Sequence, residues 1–217
     1  MASIDFSKNA LSNLIAEHIA EQIITGELKP GQKLIENDYA AEYGTSRAPV
    51  REAFYLLTIE GLVERIPRKG TVVKGYTEEE IYDLLEIRIL LESLAMKRIM
   101  KHGIDSSVME EMEQILHEMH HVREVKRYTE LNYSFHMCLI EMSKSNIIRS
   151  MYSRLAPPLL RIQSLSFANE GNIEKSLTEH IMIVDLLQKG NLSEAANVLA
   201  RHNHDVIVSI KKRLKKI

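Results

Sequence analysis

The chain has 217 residues, 45% of them hydrophobic and 27% charged, with a formal net charge of −2 at pH 7. That length allows one large domain or two modest ones, and that apolar content excludes a disordered chain. No apolar run reaches the ~18 residues of a membrane-spanning helix, and the opening MASIDFSKNALSN lacks a signal-peptide pattern. The single cysteine, Cys138, excludes an internal disulfide and a zinc ribbon or finger. It fits a reducing cytosol, and any metal site must rest on histidine and oxygen.

Leu11, Leu14, Ile15, Ile19 and Ile23 recur at helical spacing and predict an amphipathic helix from Ala10 to Thr25, closed by Gly26. Lys29-Pro30-Gly31 reads as a turn. A short helix is expected from Asn37 to Tyr43, stopped by Gly44. The next opens at Ser46, whose hydroxyl is a good acceptor for a free backbone N–H. Pro49 falls in its first turn, where a missing N–H costs nothing. Val50, Ala53, Phe54 and Leu57 form the buried face, and Gly61 ends the helix. Two short strands, Val63–Ile66 and Thr71–Lys74, flank Pro67-Arg68-Lys69-Gly70.

Helix, tight turn, capped helix and basic hairpin, in that order, describe a winged helix-turn-helix, which binds the major groove of double-stranded DNA. Arg47 and Arg51 are four apart and share a face near the start of the second helix. The planar arginine fork matches guanine O6 and N7. Ser46 and the first-turn amides suit a phosphate, and Ala48 and Pro49 complete that turn. Two arginines alone describe a solvated helix face more readily than a reading head; the order of parts is what points to DNA. Arg68, Lys69 and Gly70 at the wing tip can reach a minor groove. Net charge taken alone argues the other way: residues 1–76 carry nine Lys/Arg and ten Asp/Glu. The basic charge counts through its concentration at Arg47, Arg51, Arg65, Arg68 and Lys69.

After Gly75 the texture changes. Thr77-Glu78-Glu79-Glu80 places acids at a positive helix end. Helices are expected at 78–101, 106–122, 126–143, 147–167 (interrupted at Pro157-Pro158), 173–188 and 193–214, with no convincing strand. Ser107 with Glu110 reads as one cap, and Gly190 as one stop. The fold class is therefore mainly α: a winged helix-turn-helix over 1–76, then an all-α bundle of about six helices over 77–217. Lys211, Lys212, Arg213, Lys215 and Lys216 form a basic end that suits a helix C-terminus.

Nine histidines are unevenly informative. His18, His102 and His204 read as surface residues, and His117, His120 and His121 as a solvated helix face. His136, His180 and His202 come from three helices, each among apolar neighbours. One such histidine is usually a hydrogen-bonded core residue. Three converging would be costly to bury without a shared partner, and bundle cores commonly hold metals. Spacing leaves both readings open.

Ile24–Gly26-Glu27-Leu28-Lys29-Pro30-Gly31, Ser46-Arg47-Ala48-Pro49-Val50-Arg51-Glu52-Ala53 and Glu60-Gly61-Leu62-Val63 resemble the winged-helix domain of the GntR family of bacterial transcription regulators. Two positions depart from the pattern. Ile35-Glu36-Asn37-Asp38-Tyr39 stands where the family usually has Ser-Glu-Arg-Glu-Leu, so Asn37 replaces an arginine that contacts DNA. Ala48 replaces a residue that often carries a hydroxyl.

Residues 77–210 resemble the FCD ligand-binding domain of the FadR-like branch. The resemblance lies in Arg88-Ile89-Leu90-Leu91-Glu92, Asn132-x-x-Phe135-His136, Glu179-His180 and Arg201-His202. It implies a cytoplasmic homodimer on a pseudo-palindromic DNA operator, controlled by a small carboxylate effector. It also implies a divalent metal, often zinc or nickel, held by one aspartate and three histidines. Those positions are Asn132, His136, His180 and His202 here. Asn132 in place of Asp implies a weak fourth ligand or a hydrogen-bond donor, and a lower affinity, because a neutral oxygen repays less of the ion's dehydration. Arg88, and less strongly Arg161, are implied as the effector's counter-charge; an internal salt bridge is the alternative for both. Two other readings remain: a sensor whose effector is the metal itself, and a metal-dependent hydrolase with Glu179 beside a ligand.

Overall fold

The computed structural model describes residues 7–24 and 27–214; Gly26, Lys215 and Lys216 lie outside the described residues. Two compact units divide the chain, Met1–Thr77 and Glu78–Ile217.

The first unit holds α1 (Ser7–Ile24), β1 (Lys33–Leu34), α2 (Glu36–Glu42), α3 (Arg47–Ile59), β2 (Val63–Ile66) and β3 (Gly70–Val73). Its core joins Ile15, Ile19 and Ile23 of α1 to Val50, Ala53, Phe54 and Leu57 of α3, with Ala40, Leu62, Val63 and Val73 around them. Leu14, counted with the apolar stripe of α1, is instead 61% exposed.

Gly44 turns the chain between α2 and α3 with a φ of 60°, a conformation that costs a side-chain-bearing residue far more than glycine. Ser46 occupies the cap position of α3, but its hydroxyl makes no capping bond. A cap oxygen accepts from the second or third helical residue, and the third here is Pro49, which has no N–H. The first-turn amides of Arg47 and Ala48 remain as donors.

The wing contains a third strand that the alternation pattern did not reveal, because β1 is only two residues long. The order is β1-β3-β2, all antiparallel. Gly31 N donates to Val73 O and Val73 N donates to Gln32 O, both at 2.8 Å, which ties the turn after α1 into the sheet. Arg65 pairs with Thr71 and Ile66 with Gly70. At the tip, Arg68 (φ 66°) and Gly70 (φ 93°) both take left-handed backbone.

The described residues of the second unit form seven helices: α4 (Glu78–His102), α5 (Ser106–His121), α6 (Val125–Met142), α7 (Asn146–Arg154), α8 (Ala156–Phe167), α9 (Asn172–Gln188) and α10 (Leu192–Leu214). The expected long helix over 147–167 is two. The break falls at Leu155, before the prolines rather than at them. Pro157 and Pro158 have no N–H for the carbonyls of Ser153 and Arg154, so the ladder ends ahead of them and restarts with both prolines in the first turn.

The cap of α5 is Asp105, not Ser107; Asp105 Oδ1 accepts from the backbone and hydroxyl of Ser107. Phe135, Leu139, Met96, Ile99, Met112, Met119, Ile183 and Leu187 lead a methionine-rich core. Each fully buried large side chain contributes about 1.5–3 kcal/mol relative to exposure. A separate small cluster, Ala95, Ile140, Ile148 and Tyr152, seals α4 and α6 against α7.

Candidate functional site

Each unit carries one candidate site. In the first, α3 leads with Arg47, Ala48 and Arg51, all exposed, behind exposed Ser46 and half-buried Pro49. Asn37 is exposed on α2, and Arg68, Lys69 and Gly70 are exposed at the wing tip. Arg51 is not simply solvated. Its Nε donates to Glu36 Oε1 and Oε2 at 3.1 and 3.2 Å, and its Nη2 donates to Oε2 at 2.9 Å. That hydrogen bond, ahead of the charges of Arg51, Arg47 and Arg65, holds the Glu36 carboxyl below its ordinary range.

The second site is built by three helices at the centre of the bundle. From α6 come Asn132 and His136, one turn apart; α9 supplies His180 and α10 supplies His202. One ligand nitrogen from each histidine lies within 4.8 Å of the others. All three rings are buried, with centroids 4.7–5.2 Å apart. His180 also stacks on Phe135 at 4.1 Å.

Two carboxylates stand behind this cluster. Glu179 Oε2 lies 2.7 Å from His202 Nδ1. Glu92, fully buried, accepts from Arg88 Nε at 2.8 Å, Tyr152 Oη at 2.9 Å and Asn203 Nδ2 at 2.6 Å. His136 Nδ1 lies 3.2 Å from Glu92 Oε2. The pair makes no hydrogen bond at that distance, and Asn203 already uses this oxygen. His136 Nε2, His202 Nε2 and both nitrogens of His180 have no hydrogen-bond partner.

Burial, reinforced by the charge of Arg88, drives His136 down to about 3. Burial likewise drives His180 well below its ordinary value, with the neighbouring histidines adding to the effect. Burial alone would raise Glu92, but Arg88, His136 and Asn203 outweigh it and hold this carboxyl far below the usual range.

The result is a set of buried imidazoles with unpaired nitrogens close together, two of them backed by carboxylates. Metal-bound histidines are oriented in this way, and the donor type fits zinc or nickel. Asn132 donates from Nδ2 to Gln163 Oε1 at 3.0 Å, and its Oδ1 has no hydrogen-bond partner. The amide thus keeps its oxygen available.

Arg88 does not stand open to a ligand. It is 1% exposed and paired with Glu92, with only Nη2 left without a partner. Arg161 is half-buried on α8 and engaged within the protein. His117, His120 and His121 stay on the exposed or half-buried side of α5, ring beside ring at 5.0 and 5.3 Å.

Sequence reasoning missed Glu92, Gln163, Tyr152 and Asn203. The Arg88/Glu92 spacing of four was a signal for their ion pair; Gln163 carried none. A small recess of about 40 Å³ lies against Glu179 and His202. It shares Asn172, Lys175, Asp205 and Ser209 with a wider recess of about 310 Å³, and Lys175 pairs with Asp205.

Comparison with known proteins finds a match for each unit. Residues 11–73 match the gntR family of bacterial regulatory proteins, and residues 83–205 match the FCD domain. These matches define a DNA-binding transcriptional regulator rather than an enzyme. The chain belongs to the GntR family and carries an FCD domain. It is 28% identical to the uncharacterized HTH-type regulator YdhC of Bacillus subtilis, over 86% of this chain and 85% of that protein. It is 31% identical to the gluconate operon transcriptional repressor of the same organism, over 70% of this chain and 63% of that protein. A putative GntR regulator from Rhodococcus sp. RHA1 superposes with a TM-score of 0.68 at 25% identity, covering 93% of this chain and 97% of that one. None of the described helices is long and apolar enough to cross a membrane.

Proposed function

We propose that this regulator works in the cytoplasm as a homodimer on a pseudo-palindromic operator, controlled by a small carboxylate bound beside a divalent metal. The carrying observation is the cluster of His136, His180 and His202, three buried imidazoles each with an unpaired nitrogen. Burying them without a shared partner is costly, and a metal removes that cost. Asn132 Oδ1 would complete the ligand set as a neutral oxygen. The ion would anchor an effector carboxylate at its open position. Glu92 and Glu179 would orient two ligands, and Arg88 Nη2 is a spare cationic donor in the same network. The likeness to a gluconate operon repressor favours hydroxylated carboxylates.

Dimerisation is supported by exposed apolar side chains on two helices that pack together: Ile87, Leu90 and Leu94 on α4, and Ile147 and Met151 on α7. Two-fold pairing would set two copies of α3 on successive half-sites.

The test is operator binding by the purified protein with chelator, with zinc or nickel, and with a panel of sugar acids and hydroxy acids. A response that needs both metal and carboxylate supports the proposal. Protein that takes up no metal after incubation with either ion removes it. Response to metal alone favours the second reading, a metal sensor, for which the neutral Asn132 ligand suits reversible occupancy.

A further inference from the structure

Glu36 is an acid placed where a DNA-binding surface gains least from one. It is the first residue of α2, and its carboxylate reaches across to α3 to grip Arg51. Arg47 and Arg65 are close enough for their charges to act on the same carboxylate. A negative charge among three arginines lowers the attraction of that patch for phosphate. The contact therefore calls for a compensating gain.

The geometry of the grip suggests one. An arginine presents five N–H donors in a rigid planar fork. Glu36 occupies the side edge, Nε and Nη2. The end edge, formed by one Nη1 donor and the second Nη2 donor, is left over. That end edge is a pair of parallel donors that can meet guanine O6 and N7 together. The side chain is 60% exposed, so without Glu36 it would sample many rotamers and lose that freedom on binding.

We propose that Glu36 is a positioning residue for sequence reading. It holds Arg51 by one edge so that the opposite edge is presented to a guanine, and it holds down indiscriminate attraction to the DNA backbone. This rests on the reading of Arg51 as a base-contacting residue. Glu36 touches no base itself; it exchanges raw affinity for discrimination.

The test compares full-length Glu36→Ala, Glu36→Gln, Arg51→Ala and the Glu36→Ala/Arg51→Ala double variant. Each is titrated at several salt concentrations against two duplexes: one recovered from a randomised pool by the wild-type protein, and a scrambled duplex of equal length. Melting temperatures accompany each variant. Glu36→Ala is expected to weaken binding to the recovered duplex roughly 3- to 10-fold, the worth of one immobilised side chain. Its binding to the scrambled duplex is expected to hold or strengthen, so the specificity ratio falls. Glu36→Gln keeps one acceptor and falls between.

In the Arg51→Ala background, removing Glu36 should leave the ratio unchanged. Equal weakening on both duplexes would mean a structural role and overturn the proposal, as would an unchanged ratio. If Arg51→Ala itself leaves the ratio intact, the base-reading assignment fails and takes this one with it. If Arg51→Ala collapses the ratio and Glu36→Ala does not, only the role of Glu36 falls.

Discussion

The two units of this chain use the same interaction, an arginine–glutamate pair, in opposite settings. In the head, Arg51 and Glu36 are both in reach of water. In the bundle, Arg88 and Glu92 are both excluded from it, and Tyr152 and Asn203 also donate to Glu92. An exposed pair contributes at most about 1 kcal/mol to stability, and its arginine keeps an edge open to a second partner. A buried pair is costly to form and costlier to break, because either charge left alone stays in a low-dielectric interior. The head is thus built to take on a further partner. The bundle is built to hold one arrangement, with unpaired histidine nitrogens as the groups still able to gain from a ligand.

The sharpest way to break this contrast is to remove the acid from each pair. Glu92→Ala should cost about 3–5 kcal/mol in urea unfolding, since it strands Arg88. Glu36→Ala should cost under about 1 kcal/mol. Similar losses from the two variants would end the comparison.

Metal provides the next largest effect. Zinc at about a hundredfold excess over its dissociation constant should raise wild-type stability by about 2.7 kcal/mol. His180→Ala should erase that gain, and Asn132→Asp should move the titration to lower zinc concentrations. A thermal-shift series with and without chelator reads both.

On the DNA side, Arg51→Ala should weaken binding to the preferred duplex by about 1–3 kcal/mol while leaving the melting temperature unmoved. Unchanged affinity at fixed salt would remove Arg51 from the reading surface.

The smallest effect is a pH dependence in chelator-treated protein. His136 in the folded state lies near 3, far below its ordinary 6.5, and His180 is shifted the same way. The folded protein therefore prefers both rings neutral. Their contribution is complete above about pH 6.5, the unfolded value, and is lost as pH falls below it, by about 1 kcal/mol per unit for each ring. Bound metal competes with those protons and should delay the loss. Chelated protein equally stable at pH 7 and 5.5 would contradict the buried-neutral description.

The regular parts of the fold were legible because they follow from local rules. Val50, Ala53, Phe54 and Leu57 line one side of a helix by spacing alone, and they are the buried face of α3. Helix ends in the bundle fell within a residue or so of expectation, except where a local rule was read one step off. Asp105 outcompeted Ser107 as a cap because its carboxylate accepts from both the backbone and the hydroxyl of that serine. The prolines of α8 act on the turn before them rather than at their own position. Strand β1 escaped because two residues carry no period; its partner, β3, is nearly forty residues away in the chain.

By itself, the sequence determined which side chains could do chemistry. These are the capped helix with Arg47 and Arg51, the basic wing tip, and three histidines on three helices with an asparagine one turn before the first. Those choices are written in residue type and spacing. Only the tertiary structure decided what those side chains face. It placed one nitrogen of each of three distant histidines within 4.8 Å of the others and set Glu92 and Glu179 behind them. It turned the Asn132 amide toward Gln163. It also withdrew Arg88 into a buried ion pair and gave Arg51 an acid to hold it. Helix periodicity reports which way a residue points from its own axis. What waits on the other side depends on packing between helices far apart in the chain, and no local pattern carries that.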